Sequence, residues 1–309
     1  MKRRFAIAVL LVALVCVIQS CSHKDLCYDH NHVVDFEIKF DWSKAPDAAP
    51  RTMVVRIFHM DGSFYRRYEF ITREGGKVRL DAGQYKMLFH NGDMESVREV
   101  DNDYDNYSLT TIQQELLAPI GRVDNETPRP DDSEAQPVHN APETVWGGRE
   151  EYVEVGPGAE SGQVTLMPEE VTSVYNIEIR NVVNMSEDIG VSAALTGMAE
   201  CWQLAAAGAS AGPVTIPIAL ERRDEHTFTA RVVSFGHCPV EKLSHWLSVY
   251  TTNQYYYHFD VSSQFHEVED DGNILIIIEG LKLPDPDATG MSPSVSGWSD
   301  DINNDINMN

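Results

Sequence analysis

The clearest chemistry in this sequence sits near its start, in Ile18-Gln19-Ser20-Cys21. An aliphatic residue three positions before a cysteine, with a small residue directly before it, resembles a bacterial lipobox. In that motif the cysteine takes lipid and becomes the first residue of the mature chain. What precedes it agrees: Lys2-Arg3-Arg4 followed by an apolar run over 5–18 has the order of a secretory signal peptide. The run is shorter than the ~20 apolar residues that span a bilayer. Gln19 is not a favoured residue of the motif. The plainer alternative is an ordinary cleaved signal that ends beside a cysteine.

Other candidate sites are less specific. Asp29-His30-Asn31-His32 spaces two histidines so that they could share a metal on one strand face, although solvated histidines on a tether are the simpler reading. Asp101, Asp103 and Asp105 take the first, third and fifth positions of a calcium loop. Asn106 then stands where that loop needs glycine, and Ile112 where it needs a bidentate glutamate, which leaves an acidic surface loop. Tyr255-Tyr256-Tyr257-His258-Phe259 would make a sugar shelf if exposed. On a strand, however, Tyr255, Tyr257 and Phe259 share one face and suit a core. Ser63, Ser234 and Ser248 lie in no nucleophile elbow, and no His-Glu-x-x-His or phosphate loop occurs. With 48 acidic residues, no carboxylate pair stands out for glycoside chemistry. The expectation is a protein that is not an enzyme and has no cofactor or metal.

Charge narrows the partners. The 309-residue chain carries −24, and losing Lys2, Arg3 and Arg4 with the leader takes the mature chain to −27. Such acidity repels nucleic-acid phosphates, which argues against nucleic acid as a partner. Of five cysteines, Cys16 leaves with the signal and Cys21 takes lipid, so Cys27, Cys201 and Cys238 remain. Three is not the count of a disulfide framework. One bridge, Cys201 to Cys238, is open to an oxidising envelope, and two inert buried thiols is the other reading.

The elements that must carry these residues are strands. Val34, Phe36, Ile38, Phe40 and Trp42 alternate with charged residues, the mark of a half-buried strand. Residues 52–60 and 64–70 flank Asp61-Gly62, a hairpin turn. Residues 77–80 and 84–89 follow, the latter with Tyr85, Met87 and Phe89 on one face. Such spacing predicts an antiparallel sandwich over 33–168. Within it, 91–141 reads as a long excursion, partly ordered at 110–117 and loose around 124–141, with a linker at 168–170. A second sandwich is expected over 169–283, with strands at 174–183, 191–195, 214–220, 227–235, 247–251, 255–261 and 274–279. Residues 197–212, small and alanine-rich, suggest a short helical turn. The continuous apolar run 274–278 suggests a central strand buried on both faces. Residues 21–32 form the lipidated tether, and 284–309, broken by Pro284, Pro286 and Pro293, read as a disordered tail.

Several stretches taken in order carry a family resemblance: Cys21-Ser22-His23-Lys24-Asp25-Leu26-Cys27, the strand ending Phe40-Asp41-Trp42, Ala82-Gly83-Gln84-Tyr85, Leu195-Thr196-Gly197-Met198-Ala199, Ser234-Phe235-Gly236 and Phe259-Asp260-Val261-Ser262. Together they resemble an uncharacterised lipoprotein family related to the fimbrillin superfamily of gut-dwelling Gram-negative anaerobes. The resemblance implies an all-β fold of two tandem transthyretin-like antiparallel β-sandwich domains, and it supplies no catalytic residues. It also implies a protein held in the outer membrane by lipid on Cys21, at the cell surface. Its role there would be non-enzymatic, as a fimbrial anchor, tip or accessory adhesion component with fimbrial subunits as partners. The alternative is a surface glycan-binding lipoprotein serving nutrient uptake, for which exposed Trp146, Trp202 or Trp246 would be the platform. If the lipobox reading holds, Cys21→Ala abolishes fatty-acid labelling and releases folded protein from the membrane fraction. Undiminished labelling of that variant would refute it.

Overall fold

The computed structural model describes residues 33–117, 127–156, 162–266 and 272–285, together with the backbone of Ser299–Asp300. The first ten strands are β1 (Val33–Phe40), β2 (Met53–His59), β3 (Phe64–Phe70), β4 (Gly75–Asp81), β5 (Gly83–Asn91), β6 (Val97–Val100), β7 (Ser108–Thr111), β8 (Trp146–Val155), β9 (Gln163–Leu166) and β10 (Glu169–Glu170). A three-stranded sheet in the order β4-β1-β9 faces a five-stranded sheet in the order β10-β8-β5-β2-β3. The alternation in β1 does what it predicts, burying Phe36, Ile38 and Phe40 between the sheets against Val55, Ile57, Met87 and Phe89. At the turn into β4, Gly75 has φ of +94°, and a Cβ there would lie 2.1 Å from Ile38 O, so only glycine fits.

The second sandwich is built from β11 (Ser173–Arg180), β12 (Val191–Ala199), β15 (Pro213–Ala219), β16 (Glu221–Arg222), β17 (Phe228–Ser234), β18 (Trp246–Thr251), β19 (Tyr255–Asp260), β20 (Asn273–Glu279) and β21 (Ser299–Asp300). Its sheets run β16-β17-β11-β20 and β15-β12-β18-β19-β21. Their facing sides bury Tyr175, Ile177, Leu195, Val249, Tyr257 and Ile276 among others. Most pairings are antiparallel, but β1 with β9, β11 with β20 and β19 with β21 are parallel.

What holds the two sandwiches together is the excursion. β2 is buried along nearly its whole length because its two faces meet different partners. Met53, Val55 and Ile57 face the first core, while Phe58 on the other face joins Val97, Tyr104, Tyr107 and Leu109 of the excursion. The same cluster takes in Leu88 from β5 and Ala199, Leu204 and Phe235 from the second sandwich. A small sheet crosses the junction, in which β7 pairs with β13 (Cys201–Gln203), itself paired with β14 (Gly208–Ala209). Farther along, Leu116, Leu117 and Val138 cover Ala194 and Tyr250 on the outer face of the second five-stranded sheet.

Arg56 is the polar centre of this arrangement. It sits on the covered face of β2, only 6% exposed, with Nη1 donating to Glu99 Oε2 at 2.6 Å and Nη2 donating to Asn102. Its guanidinium lies over both Phe64 and Tyr107, 4.7 Å from each ring centroid. Arg67 donates to the other oxygen of Glu99 at 3.1 Å. Burial alone would raise the Glu99 carboxyl, but neighbouring His90 and the bonds from Arg56 and Arg67 outweigh it and hold the group below the usual carboxylate range. Burial also holds His90 below its ordinary value, so at neutral pH its ring is uncharged and the arginines carry the pairing.

Five expectations need correction. Residues 197–212 form no helix: the segment completes β12, makes β13 and β14, and joins them through a turn, because β7 offers it a pairing edge. The run 274–278 is not central. β20 pairs with β11 alone, and Leu275 is 47% exposed, so apolar continuity marked an edge strand with one buried face. The described part of 124–141 is not loose, since Ser133, Gln136, Val138 and His139 are buried against the second sandwich. The linker is shorter than expected, because Glu169–Glu170 still pair with β8 and Val171 N–H still bonds Val145 O. Finally, Ser299–Asp300 in the expected tail run parallel to Tyr255–Tyr256, a backbone pairing that needs no apolar side-chain pattern.

Removing one partner of a buried charge pair is far costlier than breaking a surface bridge. Arg56→Met should lower the unfolding free energy by ~3–5 kcal/mol in urea titrations and sensitise 97–111 to protease. Because the Glu99 pKa is depressed in the fold, its contribution is complete above its ordinary value of 4.5 and is lost as pH falls through the lowered one. The gap between variant and parent should therefore narrow below pH 4.5.

Candidate strand-docking edge

The most reactive surface of a β-sandwich is an unpaired strand edge. Most edges here are blocked. The carbonyl of Arg79 on the free side of β4 accepts from Tyr68 OH at 2.7 Å and Arg66 Nη1 at 3.0 Å. β3 carries Arg66, Arg67 and Glu69, charges that disfavour strand addition. β15 includes Pro213 and Pro217, which lack an N–H, and the excursion pairs with it between them: His139 N–H bonds Thr215 O at 3.0 Å and Thr215 N–H bonds Pro137 O at 2.9 Å.

β17 is open over half its length. Its edge partner β16 covers only Phe228 and Thr229. Arg223 N–H donates to Thr227 O at 2.9 Å, so the Thr227 main chain faces the β16 side, and alternation gives Thr229, Arg231 and Val233 the same direction. Beyond β16, the outward N–H and C=O of Arg231 and Val233 have no partner among the described residues. Beside them a groove of about 530 Å³ separates β17 from β15 and is lined by Ile177, Ile218, Ala230, Val232 and Ala141, with Glu221 and Arg231 among its polar groups. Unsatisfied main chain next to a slot of mixed apolar and polar lining is a geometry that can accept an extended segment.

The residues singled out from sequence are dispersed. Cys21, Cys27, His30 and His32 lie outside the described residues. Cys201 and Cys238 are free thiols. Met198 bridges His237 antiparallel and Cys238 N–H donates to Gly197 O, so Cys238 lies opposite Gly197, four residues along from Cys201. Asp101 and Asp103 spend side-chain oxygens on their own loop, accepting from the N–H groups of Asn102, Asp103 and Asp105. No cluster of three or more metal-ligating residues occurs among the described residues.

The aromatic run splits as its alternation requires. Tyr257 and Phe259 are buried in the second core with Tyr255 against it, while Tyr256 packs under the excursion on the other face. Trp146, Trp202 and Trp246 are all half-buried, and Trp246 Nε1 donates to Asp132 at 3.3 Å. Ser63 lies in the β2–β3 turn, bonded to Asp61. Ser234 is buried and bonds Gly236 O. Ser248 Oγ and His258 Nδ1 are 2.8 Å apart, a contact a serine nucleophile would use. Ser248 is fully buried, however, and burial pushes the His258 pKa down to about 4. The open edge of β17 was not among the sequence candidates. Its only signal is the shortness of Glu221–Arg222 before the turn, which does not show from residue types.

With this geometry in place, the comparisons locate the chain. Residues 20–219 match the family described as Domain of unknown function (DUF5119), and the chain belongs to that family. No curated protein matches it. Solved structures share the fold. A candidate adhesin from Bacteroides ovatus ATCC 8483 aligns with TM-score 0.58 at 16% identity, covering 86% of this chain and 99% of that one. A protein from Bacteroides thetaiotaomicron described as a candidate polysaccharide-binding protein aligns with TM-score 0.52 at 10% identity, covering 80% and 91%. The fimbrial anchor protein Mfa2 from Porphyromonas gingivalis aligns with TM-score 0.50 at 10% identity, again covering 80% and 91%. The fold is thus one that this chain shares with those solved proteins. No helix among the described residues is long and apolar enough to cross a membrane.

Proline scanning tests the assigned edge. Val233→Pro removes an N–H that bonds nothing and should change stability by less than about 1 kcal/mol. Val232→Pro removes a bond to β11 and should cost ~3 kcal/mol or more in the same denaturant titration.

Proposed function

We propose that this protein is a lipid-anchored component of the outer membrane that acts without catalysis as a fimbrial anchor, tip or accessory adhesion subunit. The observation that carries this reading is the open half of β17 beside a groove lined by Ile177, Ile218, Ala230 and Val232 together with polar groups, on a chain in which the edges of β3, β4 and β15 are guarded. The lipobox-like Ile18-Gln19-Ser20-Cys21 supports attachment through Cys21. Two signals of one lipid and one docking edge suit a subunit fixed at one end and joined to others at the other. The fold shared with a fimbrial anchor protein agrees with that division. Residues 284–309 offer almost no alternating apolar residues, so this chain is better suited to accept a strand than to donate one.

Binding to identified fimbrial subunits tests the reading. Protein carrying Cys21→Ala, incubated with fimbriae sheared from native cells, should capture fimbrial subunits identifiable by mass spectrometry. Val233→Pro should reduce that capture at least tenfold, since blocking one edge position removes the main-chain bonds a docked strand would make. Capture unaffected by Val233→Pro would move the docking site elsewhere. Failure to capture, together with specific signals on a glycan array, would favour the glycan-binding alternative.

A further inference from the structure

Among the described residues, the opposite edge of the same sheet is closed by a single side chain. β20 ends the sheet, paired in parallel with β11 alone. Val174 N–H bonds Gly272 O, and Gly280 N–H bonds Arg180 O, so even-numbered residues of β20 turn their main chain toward β11. Asn273, Leu275, Ile277 and Glu279 turn theirs outward. Gln264, in the short helix Ser262–His266, reaches this edge. Its Nε2 donates to Ile277 O at 3.1 Å, and its Oε1 accepts from Ile277 N–H at 2.8 Å. One primary amide thus makes both bonds that a residue of a neighbouring strand would make. Phe265 holds the helix in place from behind, buried and stacked on Tyr175 and His245 with centroids 5.4 and 4.3 Å away.

What the amide excludes can be read from the strand itself. Between Asn273 and Glu279, β20 is entirely Ile and Leu, with no charge, proline or glycine, the composition that pairs most readily when an edge is left bare. Leu275 is exposed, and Ile277 lies on the same outer face two residues on. Set antiparallel to a copy of itself about a two-fold axis at Ile276, each Leu275 meets the other chain's Ile277, and each Asn273 meets Glu279. Every outward-turned main chain then faces another outward-turned one, as the hydrogen-bonded pairs of an antiparallel ladder require. No like charges oppose each other across that register.

We propose that the free edge of β20 is a self-complementary strand-pairing surface, and that Gln264 keeps it closed against β20 of a second copy. This does not rest on the fimbrial role proposed above. The −27 charge of the mature chain opposes association of any two copies, so the test belongs at ~1 M salt, where the Debye length is about 3 Å. In the Cys21→Ala protein, Gln264→Ala should speed hydrogen exchange at the Ile277 amide by roughly tenfold or more and produce a dimer in sedimentation that grows with concentration. Adding Leu275→Lys should restore the monomer. Unchanged exchange would overturn the proposal, as would fast exchange without a dimer or a dimer that survives Leu275→Lys. Should Gln264→Ala fail to fold, Gln264→Met, which keeps the length of the side chain but bonds neither the Ile277 N–H nor its carbonyl, is read by the same criteria.

Discussion

A guanidinium taken out of water has to find its charge and hydrogen bonds inside the fold, and Arg56 finds most of them in a segment outside its own sandwich. Glu99 and Asn102 meet it from the excursion, and Tyr107 lies across its plane. Desolvating Arg56 without that segment would leave a buried charge unpaired, so the outer face of β2 and the excursion stand or fall together. The same segment carries Val97, Tyr104 and Leu109 into a cluster with Ala199, Leu204 and Phe235 of the second sandwich. The relative position of the two sandwiches follows from that shared core.

The rest of the molecule shows how a protein rich in strand edges avoids pairing at random. Four edges are managed by different devices: tyrosine and arginine on a carbonyl at β4, charges on β3, prolines and the excursion on β15, and a glutamine amide on β20. These are physically equivalent, since each removes or occupies the N–H and C=O groups that another chain would use. The exposed half of β17 stands out against that background. Its outward main chain lies next to a slot that can take side chains.

The chain is a member of the DUF5119 family and shares its fold with the anchor protein Mfa2. At 10–16% identity the structural relatives share the layout of sheets and not the side chains that line a groove. The chemistry of recognition therefore has to be read from this chain's own residues.

How much of this was legible in the sequence depended on whether a pattern was local. The alternation of Phe36, Ile38 and Phe40, the split of the 255–259 aromatics between two faces, and the turn at Asp61-Gly62 were readable because a period of two, or a dipeptide, decides each of them. The order of strands with short turns was enough for an all-β pair of sandwiches. Ile274 to Ile278 misled, because continuous apolar character does not separate a strand buried on both faces from an edge strand with one covered face. Residues 197–212 misled because alanine and glycine take the structure their neighbours offer, and β7, some ninety residues earlier, offered a ladder. Arg56 looked like an interruption in an apolar strand and became the centre of the junction. By itself the sequence determined the strand periodicity and the acidic composition. Only the tertiary structure decided which edges are paired, which are plugged and which are open, because an edge is defined by what lies beside it in space, and that neighbour comes from a distant part of the chain.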